Sequence, residues 1–290
     1  MSGSECLASR RAVIRGKAAA TSYMVGVSPA SSKGLGLEYV DFKEYEPWDD
    51  VKHVDWRLSA RSIDPSGDCK LMVKVYRAER KVRVAFVADL SSSMRFGDKL
   101  ATQSYVVSLL STIAAHLEDE VYLVLMRGSK CEVFSKVTPV TLPYILTSKI
   151  CRGETRGRAD LGKAARVVSR LGRCAVMLST DYAHNPNDYG VFIDTVHAAG
   201  GEVAVYLVYD KWEVKKPVEA AVTLIGLEDE VSVYGDLEEI YGLINKHVKD
   251  VRARLRVKRA TFMELGGLRY AGEASWPIIS CFLRVREKVY

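Results

Sequence analysis

The stretch Arg83–Lys99, RVAFVADLSSSMRFGDK, begins as an apolar run and ends in an aspartate followed by three serines. A run such as Val84 to Ala88, with no polar alternation, suits a strand buried on both faces, as in a parallel sheet. Three more runs share that texture: EVYLVLMR (Glu120–Arg127), RCAVMLST (Arg173–Thr180) and EVAVYLVY (Glu202–Tyr209). Helical spacing lies between them. It is clearest where Tyr105, Val106, Leu109, Leu110, Ile113, Ala114 and Leu117 share one face, and it recurs over Leu161–Leu171 and Val191–Ala199. Strand and helix in alternation predict an α/β fold with a doubly wound, mostly parallel sheet in a Rossmann-like three-layer arrangement. The turn GSK (Gly128–Lys130) leads into CEVFSKV, so a hairpin adds one antiparallel edge strand.

Upstream the texture changes. SPASSKGLG (Ser28–Gly36) reads as a flexible loop, and LEYVDFKEY and KLMVKVY mix polar and apolar residues as half-exposed strands do. Residues 1–78 are therefore expected to form an N-terminal arm and a small β-rich extension, with the α/β domain over 79–290. That domain is expected to carry a long helix from about Asp236 to Leu265 and a last helix beginning near Pro277.

The composition, 48% hydrophobic and 27% charged over 290 residues, is that of a globular chain. No apolar run approaches the roughly 20 residues of a membrane helix, and the N-terminus lacks the apolar centre of a signal peptide, so a cytoplasmic location is expected. The six cysteines have no paired spacing suited to zinc or a redox dithiol. Free thiols are predicted, with intracellular disulfides of the hyperthermophile kind as the alternative. The net charge of +6 gathers partly in KHVKDVRARLRVKR (Lys246–Arg259), which raises nucleic acid as a partner. Leu237, Ile240, Ile244, Val248, Val251 and Leu255 recur there at helical spacing, however, and leave the charges on a solvated face, the preferred reading.

In a doubly wound sheet, ligands bind beyond the carboxyl ends of the strands. Asp89 sits at such an end, and in VMLSTDY Asp181 follows a second buried strand, so the two carboxylates can face one crevice. A tight turn can bring Ser91 and Ser93 to the same point while Leu90 and Met94 pack inward. Carboxylates and hydroxyls are hard oxygen donors, suited to Mg²⁺, Mn²⁺ or Ca²⁺ rather than zinc. So few direct carboxylates leave a cation under-neutralised and open to an acidic group from a partner. The competing reading is a helix cap formed by Ser92 or Ser93.

These residues resemble the metal-ion-dependent adhesion site of the von Willebrand factor A fold, Asp-x-Ser-x-Ser after the first central strand, here Asp89, Ser91 and Ser93. The resemblance implies a further aspartate after a later strand, which maps onto Asp181, and a threonine from another loop. In GRADLGKAA, Ala159 stands where that threonine belongs, and Thr155 or Asp160 is the compensating candidate. A second pattern, KEYEPWDDVKHVDWRLSAR (Lys43–Arg61), is similar to the family catalogued as domain of unknown function 58. Glu44, Tyr45, Asp49, Asp50, Asp55, Trp56, Ser59, Ala60 and Arg61 agree with the family, while Lys43, Trp48 and Lys52 depart from it. Read without the family, Asp49, Asp50 and Asp55 alternate with Lys52, Arg57 and Arg61 around Trp56, which predicts an ion-pair network with an aromatic anchor, Arg61 being the apt bidentate partner. A recognition surface is the alternative.

The resemblance implies a non-enzymatic, metal-dependent protein-binding module, an adaptor or co-chaperone working with a MoxR-type AAA+ ATPase. Its protein partner would offer an acidic residue to the metal. Nucleic-acid binding through the basic helix and a metal-dependent hydrolase are the alternatives. A haloacid-dehalogenase-like phosphatase needs a second aspartate two positions after the first, where Ser91 stands. Among the histidines only His184, close after Asp181, is placed to overlook the crevice.

Overall fold

The four valine-rich runs lie side by side in one six-stranded sheet of order Thr261–Leu265, Glu202–Val208, Ala175–Thr180, Arg83–Asp89, Glu120–Arg127, Lys130–Phe134. The computed structural model describes residues 2–26, 39–62, 70–76, 81–214, 224–225, 232–233 and 237–290. In chain order the elements are α1 (Ser2–Gly26), β1 (Tyr39–Glu44), α2 (Trp56–Ser59), β2 (Met72–Tyr76), β3 (Arg83–Asp89), α3 (Lys99–His116), β4 (Glu120–Arg127), β5 (Lys130–Phe134), α4 (Leu142–Cys151) and α5 (Leu161–Ser169). There follow β6 (Ala175–Thr180), α6 (Pro186–Ala198), β7 (Glu202–Val208), α7 (Lys211–Val214), β8 (Leu224–Ile225), β9 (Ser232–Val233), α8 (Leu237–Val257), β10 (Thr261–Leu265), α9 (Leu268–Glu273) and α10 (Ser275–Val289). The chain divides into two compact units, Met1–Val25 with Lys81–Tyr290, and Gly26–Arg80.

In the larger unit β3, β4, β6, β7 and β10 are mutually parallel, and β5 runs antiparallel at one edge. The doubly wound sheet with one antiparallel edge is therefore the observed architecture. Ala85, Val87, Val176, Leu178, Val203 and Val205 bury one face of the sheet against α5, α6 and α8. On the other side α3 is buried along Lys99–Ser111 without a break. One reason is α1, whose Ser9, Ala12, Val13 and Ala20 are buried. Ser108 Oγ donates to the Val13 carbonyl at 2.7 Å, and a Cβ on Gly16 would come 2.6 Å from the Tyr105 carbonyl, so the helices approach through small residues.

Residues 1–25 thus belong with the larger unit, not with the extension expected over 1–78. Ser2–Gly26 is a helix rather than an arm, cross-linked to α4 by a Cys6–Cys151 disulfide. Free thiols hold for Cys131, Cys174 and Cys281; Cys69 lies outside the described residues, as does SPASSKGLG.

The long basic helix also ends earlier than expected. α8 stops at Val257, Arg259 takes a positive φ of 52°, and Thr261–Leu265 pairs as a strand with the open edge of β7. The β-branched and aromatic residues of TFMEL complete the sheet there instead of prolonging the helix. The last helix, α10, begins at Ser275, close to the expected position.

In the smaller unit β1 and β2 pair antiparallel, the half-exposed strands that were expected. The carboxylates of the stretch between them act locally. Asp50 caps a 3-10 turn over Val51–His53, and Asp55 Oδ1 accepts from Arg57 N and Leu58 N at the start of α2. Their ion pairs run to Lys43 from Asp49 (2.8 Å) and to Lys74 from Asp55 (3.0 Å). Arg61 makes no ion pair among the described residues, and Trp56 is 63% exposed, so the expected arginine network and aromatic anchor are replaced by caps and lysine pairs. Short polar side chains satisfy orphan helix N–H groups within their own turn, which is what Asp50 and Asp55 do here.

Candidate metal centre

The sheet order decides where the chemistry sits. From β3 the chain crosses through α3 to β4 on one side, whereas β6 lies on the other side of β3. The carboxyl ends of β3 and β6 therefore flank the point at which the winding reverses, where open α/β sheets form their crevice. Ala88 is opposite Ser179 in the parallel register, which sets Asp89 beside Thr180. Thr180 Oγ1 donates to Asp89 Oδ2 at 2.6 Å, and Asp181 follows at once.

Asp89 is fully buried, and so is Ser91. Ser91 N donates to Asp89 Oδ1 at 2.8 Å, and the Ser91 and Ser93 hydroxyls lie 3.1 Å apart. Ser91 precedes a 3-10 turn over Ser92–Arg95 but makes no side-chain cap bond. Its hydroxyl faces that of Ser93. Ser92 points elsewhere, its Oγ accepting from Gly157 N at 2.8 Å. Leu90 and Met94 are buried, as the turn requires.

Asp181 is also buried. Its Oδ1 accepts from Ala183 N at 3.0 Å, and its Oδ2 from Lys99 Nζ at 2.7 Å. His184 Nε2 lies 2.9 Å from Asp89 Oδ2. Ligand atoms of Asp89, Asp181 and His184 all fall within 4.8 Å of one another. Asn185, which caps α6 through Asn187 N, and Pro186 at its first turn set the direction from which His184 enters.

Lys99, at the start of α3, is fully buried, and its ammonium also donates to Glu213 Oε1 at 2.5 Å. Burial pushes the Lys99 ammonium down, yet Asp181 and Glu213 outweigh it and hold the group above the usual lysine range. Burial raises the Glu213 carboxyl above its ordinary value despite Lys99. For Asp89, burial works upward, but His184, Thr180 and Ser91 together hold the carboxyl below the usual range.

The remaining expected residues lie in the loop that leads into α5 and at the start of that helix. Asp160 caps α5, its Oδ1 accepting from Lys163 N at 2.9 Å. Thr155 is buried, and its Oγ1 has no hydrogen-bond partner among the described residues. Its loop is pinned to the serine turn by Arg156 N to the Leu90 carbonyl (3.0 Å) and Ser92 N to the Gly157 carbonyl (2.9 Å). Ala159 is buried in the apolar cluster with Leu161 and Val87.

The donor set fits a divalent cation: two buried carboxylates and an imidazole converge, two hydroxyls stand beside Asp89, and a buried hydroxyl in the adjoining loop is unsatisfied. A carboxylate offers about four lone-pair positions. Donors among the described residues take three on Asp89 and two on Asp181. Sequence reading missed Thr180, Lys99 and Glu213. Thr180 was findable, because it immediately precedes Asp181 on a strand paired with β3. Lys99 and Glu213 reach the crevice only through the docking of α3 and α7, which no local pattern encodes.

On α8 and just beyond its end, Arg252 pairs with Glu264 at 2.5 Å, Lys258 with Asp194 at 2.5 Å, and Arg254 donates to Asn187. Part of the basic cluster therefore serves intramolecular contacts. Among the described residues no helix is long and apolar enough to cross a membrane.

Comparison with solved structures gives distant likenesses. BatB from Bacteroides thetaiotaomicron, described as a conserved hypothetical protein, is 18% identical with a TM-score of 0.45, over 70% of this chain and 99% of that one. An aerotolerance-related membrane protein from Bacteroides fragilis is 16% identical with a TM-score of 0.44, over 70% and 99%. The SpRpn10 VWA domain is 12% identical with a TM-score of 0.43, over 69% and 97%. No curated protein matches the chain. The family model described as "Protein of unknown function DUF58" matches residues 41–239, most of the chain, and the protein belongs to the DUF58 family.

Proposed function

We propose that the protein is a non-enzymatic, metal-dependent protein-binding module of the von Willebrand factor A type, acting as an adaptor or co-chaperone for a MoxR-type AAA+ ATPase. The observation that carries this reading is the convergence of Asp89, Asp181 and His184 within 4.8 Å at the reversal point of the sheet, beside the serine pair. A divalent cation bound there would supply an open position for a carboxylate of the partner. Asp89 and Asp181 supply the negative charge, and Ser91 and Ser93 supply neutral oxygens at the opening. Thr180 and His184 fix the Asp89 carboxylate in place. Mg²⁺ and Mn²⁺ are the ions proposed, with Ca²⁺ as an oxygen-seeking alternative. Lys99 already neutralises part of Asp181, so affinity is expected to be modest.

The test is calorimetric titration of Mn²⁺ and Mg²⁺ into wild type and Asp89→Asn, paired with binding to a MoxR-type ATPase with and without EDTA. Saturable binding lost in the variant, and a complex weakened by chelation, are expected. If neither ion binds at millimolar concentration and Asp89→Asn leaves the complex intact, the reading is wrong.

A further inference from the structure

Beside the serine turn lies a shallow depression of about 260 Å³ lined by Arg127, Gly128, Ser129, Lys130, Arg156 and Gly157. It forms because two tight turns meet. Gly128 and Gly157 both have positive φ, and a Cβ on Gly157 would stand 3.2 Å from the Gly128 Cα, so the β4–β5 turn and the Thr155–Gly157 loop can touch only as glycines. The same loop is bonded to the serine turn through Gly157 N to Ser92 Oγ and Arg156 N to the Leu90 carbonyl. The depression and the candidate metal centre therefore share a wall, with Ser92 between them.

Its charge is one-sided. Arg127 is paired with Glu154, and Lys163, whose ammonium donates to the Ser129 carbonyl, has Asp160 nearby. Lys130 and Arg156 are exposed, and neither makes a side-chain hydrogen bond or ion pair among the described residues. No acidic side chain lines the depression. On the α7 flank of the crevice the Glu213 carboxylate is paired with Lys99, Lys211 is exposed, and Asp210 lies against Gly97, so that flank carries no excess of positive charge. A negatively charged chain leaving the metal centre is thus drawn toward the flank that carries Lys130 and Arg156.

We infer that Arg156, Lys130 and Ser129 form a second anion subsite, and that the partner is an acidic segment carrying at least two carboxylates, one for the metal centre and the next for this depression. Arg156 presents a planar fork that matches a carboxylate, Lys130 a point charge, and Ser129 a hydroxyl donor. The subsite gives the segment a direction, running from Asp89 toward the β4–β5 turn. The inference rests on the metal-centred reading for its first carboxylate but not for its second.

A fluorescein-labelled hexaglutamate peptide is the probe, titrated at low salt by anisotropy against wild type, Asp89→Asn and the double variant Lys130→Glu/Arg156→Glu, each with Mn²⁺ and with EDTA. Both reversed side chains are exposed, so folding is retained, and circular dichroism verifies it. In EDTA, wild type and Asp89→Asn are expected to bind weakly and equally, while the double variant loses at least about tenfold. Mn²⁺ is expected to tighten wild type but not Asp89→Asn. Should the double variant bind as wild type does, or should wild type show no binding in either condition, the subsite is refuted. Should Mn²⁺ add nothing while charge reversal still abolishes binding, the subsite stands and the metal-centred reading falls.

Discussion

Replacing Lys99 with methionine removes a buried charge while keeping most of an apolar stem, and the structure sets the size of the effect. The ammonium is 2.7 Å from Asp181 Oδ2 and 2.5 Å from Glu213 Oε1, so these two oxygens lie within about 5 Å of each other. Without the ammonium, two negative charges at about 5 Å repel by about 3 kcal/mol at an effective dielectric near 20. Truncating one member of a buried ion pair costs about 3–5 kcal/mol in general, which agrees. Glu213 relieves part of this by taking up a proton, since burial already raises its carboxyl even with Lys99 in place. A carboxyl whose folded pKa is raised favours the native state below the unfolded pKa, and that contribution is lost as pH rises through the folded value. The variant's deficit relative to wild type should therefore be smallest near pH 5 and largest above neutrality. Urea unfolding of both proteins between pH 5 and 8, with and without 1 mM Mn²⁺, provides the measurement. Mn²⁺ is expected to restore more stability to Lys99→Met than it adds to wild type, because Asp181 is released to the cation. A loss under about 1 kcal/mol at pH 8, or a deficit that does not vary with pH, would refute the buried triad.

The packing sets three further expectations. Cys6→Ser removes a cross-link spanning 145 residues. The chain-entropy ceiling is about 5 kcal/mol, and a loss of about 2–4 kcal/mol in guanidinium unfolding is expected, matched by wild type in reductant; coincident curves would show that α1 does not need the bond. Gly157→Ala forces a Cβ onto a residue with φ of 69° and against Gly128, so a loss of about 1–2 kcal/mol is expected by thermal unfolding; an unchanged midpoint contradicts the turn geometry. Burial pushes the Cys174 and Cys281 thiols up to about 11. At pH 8 only about one in a thousand is thiolate, so mass spectrometry should find iodoacetamide labelling slow and rising about tenfold per pH unit; labelling at the rate of free cysteine would contradict the burial.

Where the sequence was readable, the reason was local periodicity. Strands buried on both faces show as unbroken valine-rich runs, and the four runs coincide with β3, β4, β6 and β7 to within two residues at their ends. The misreadings share one cause, which is an element defined by what it packs against. α1 buries Ser9, Ala12, Val13, Gly16 and Ala20, residues too small and too polar to mark an apolar stripe, although their spacing is helical. β10 continues directly from a strongly helical segment, and its strand state depends on the vacant edge of β7. Trp56 looked like an anchor by size alone, but hydrophobic area says nothing about which surface is available to cover it.

The crevice repeats this division between local and non-local information. Asp89, Ser91 and Ser93 were legible because one turn holds them. The partners that set the charge balance come from β6, α3, α7 and the loop before α6, and they meet through register and helix docking. Ala159 makes the consequence concrete. Ala159 is buried and belongs to the apolar cluster that includes Val87, Val124 and Leu161, so a hydroxyl at this position would enter apolar surroundings. The two carboxylates are held by other groups: Thr180 and His184 donate to Asp89, and Lys99 donates to Asp181. A crevice built this way is stable with its carboxylates already paired. Under the proposed function, a cation entering it would compete with the Lys99 ammonium for Asp181, so a carboxylate from the partner is expected to strengthen its binding.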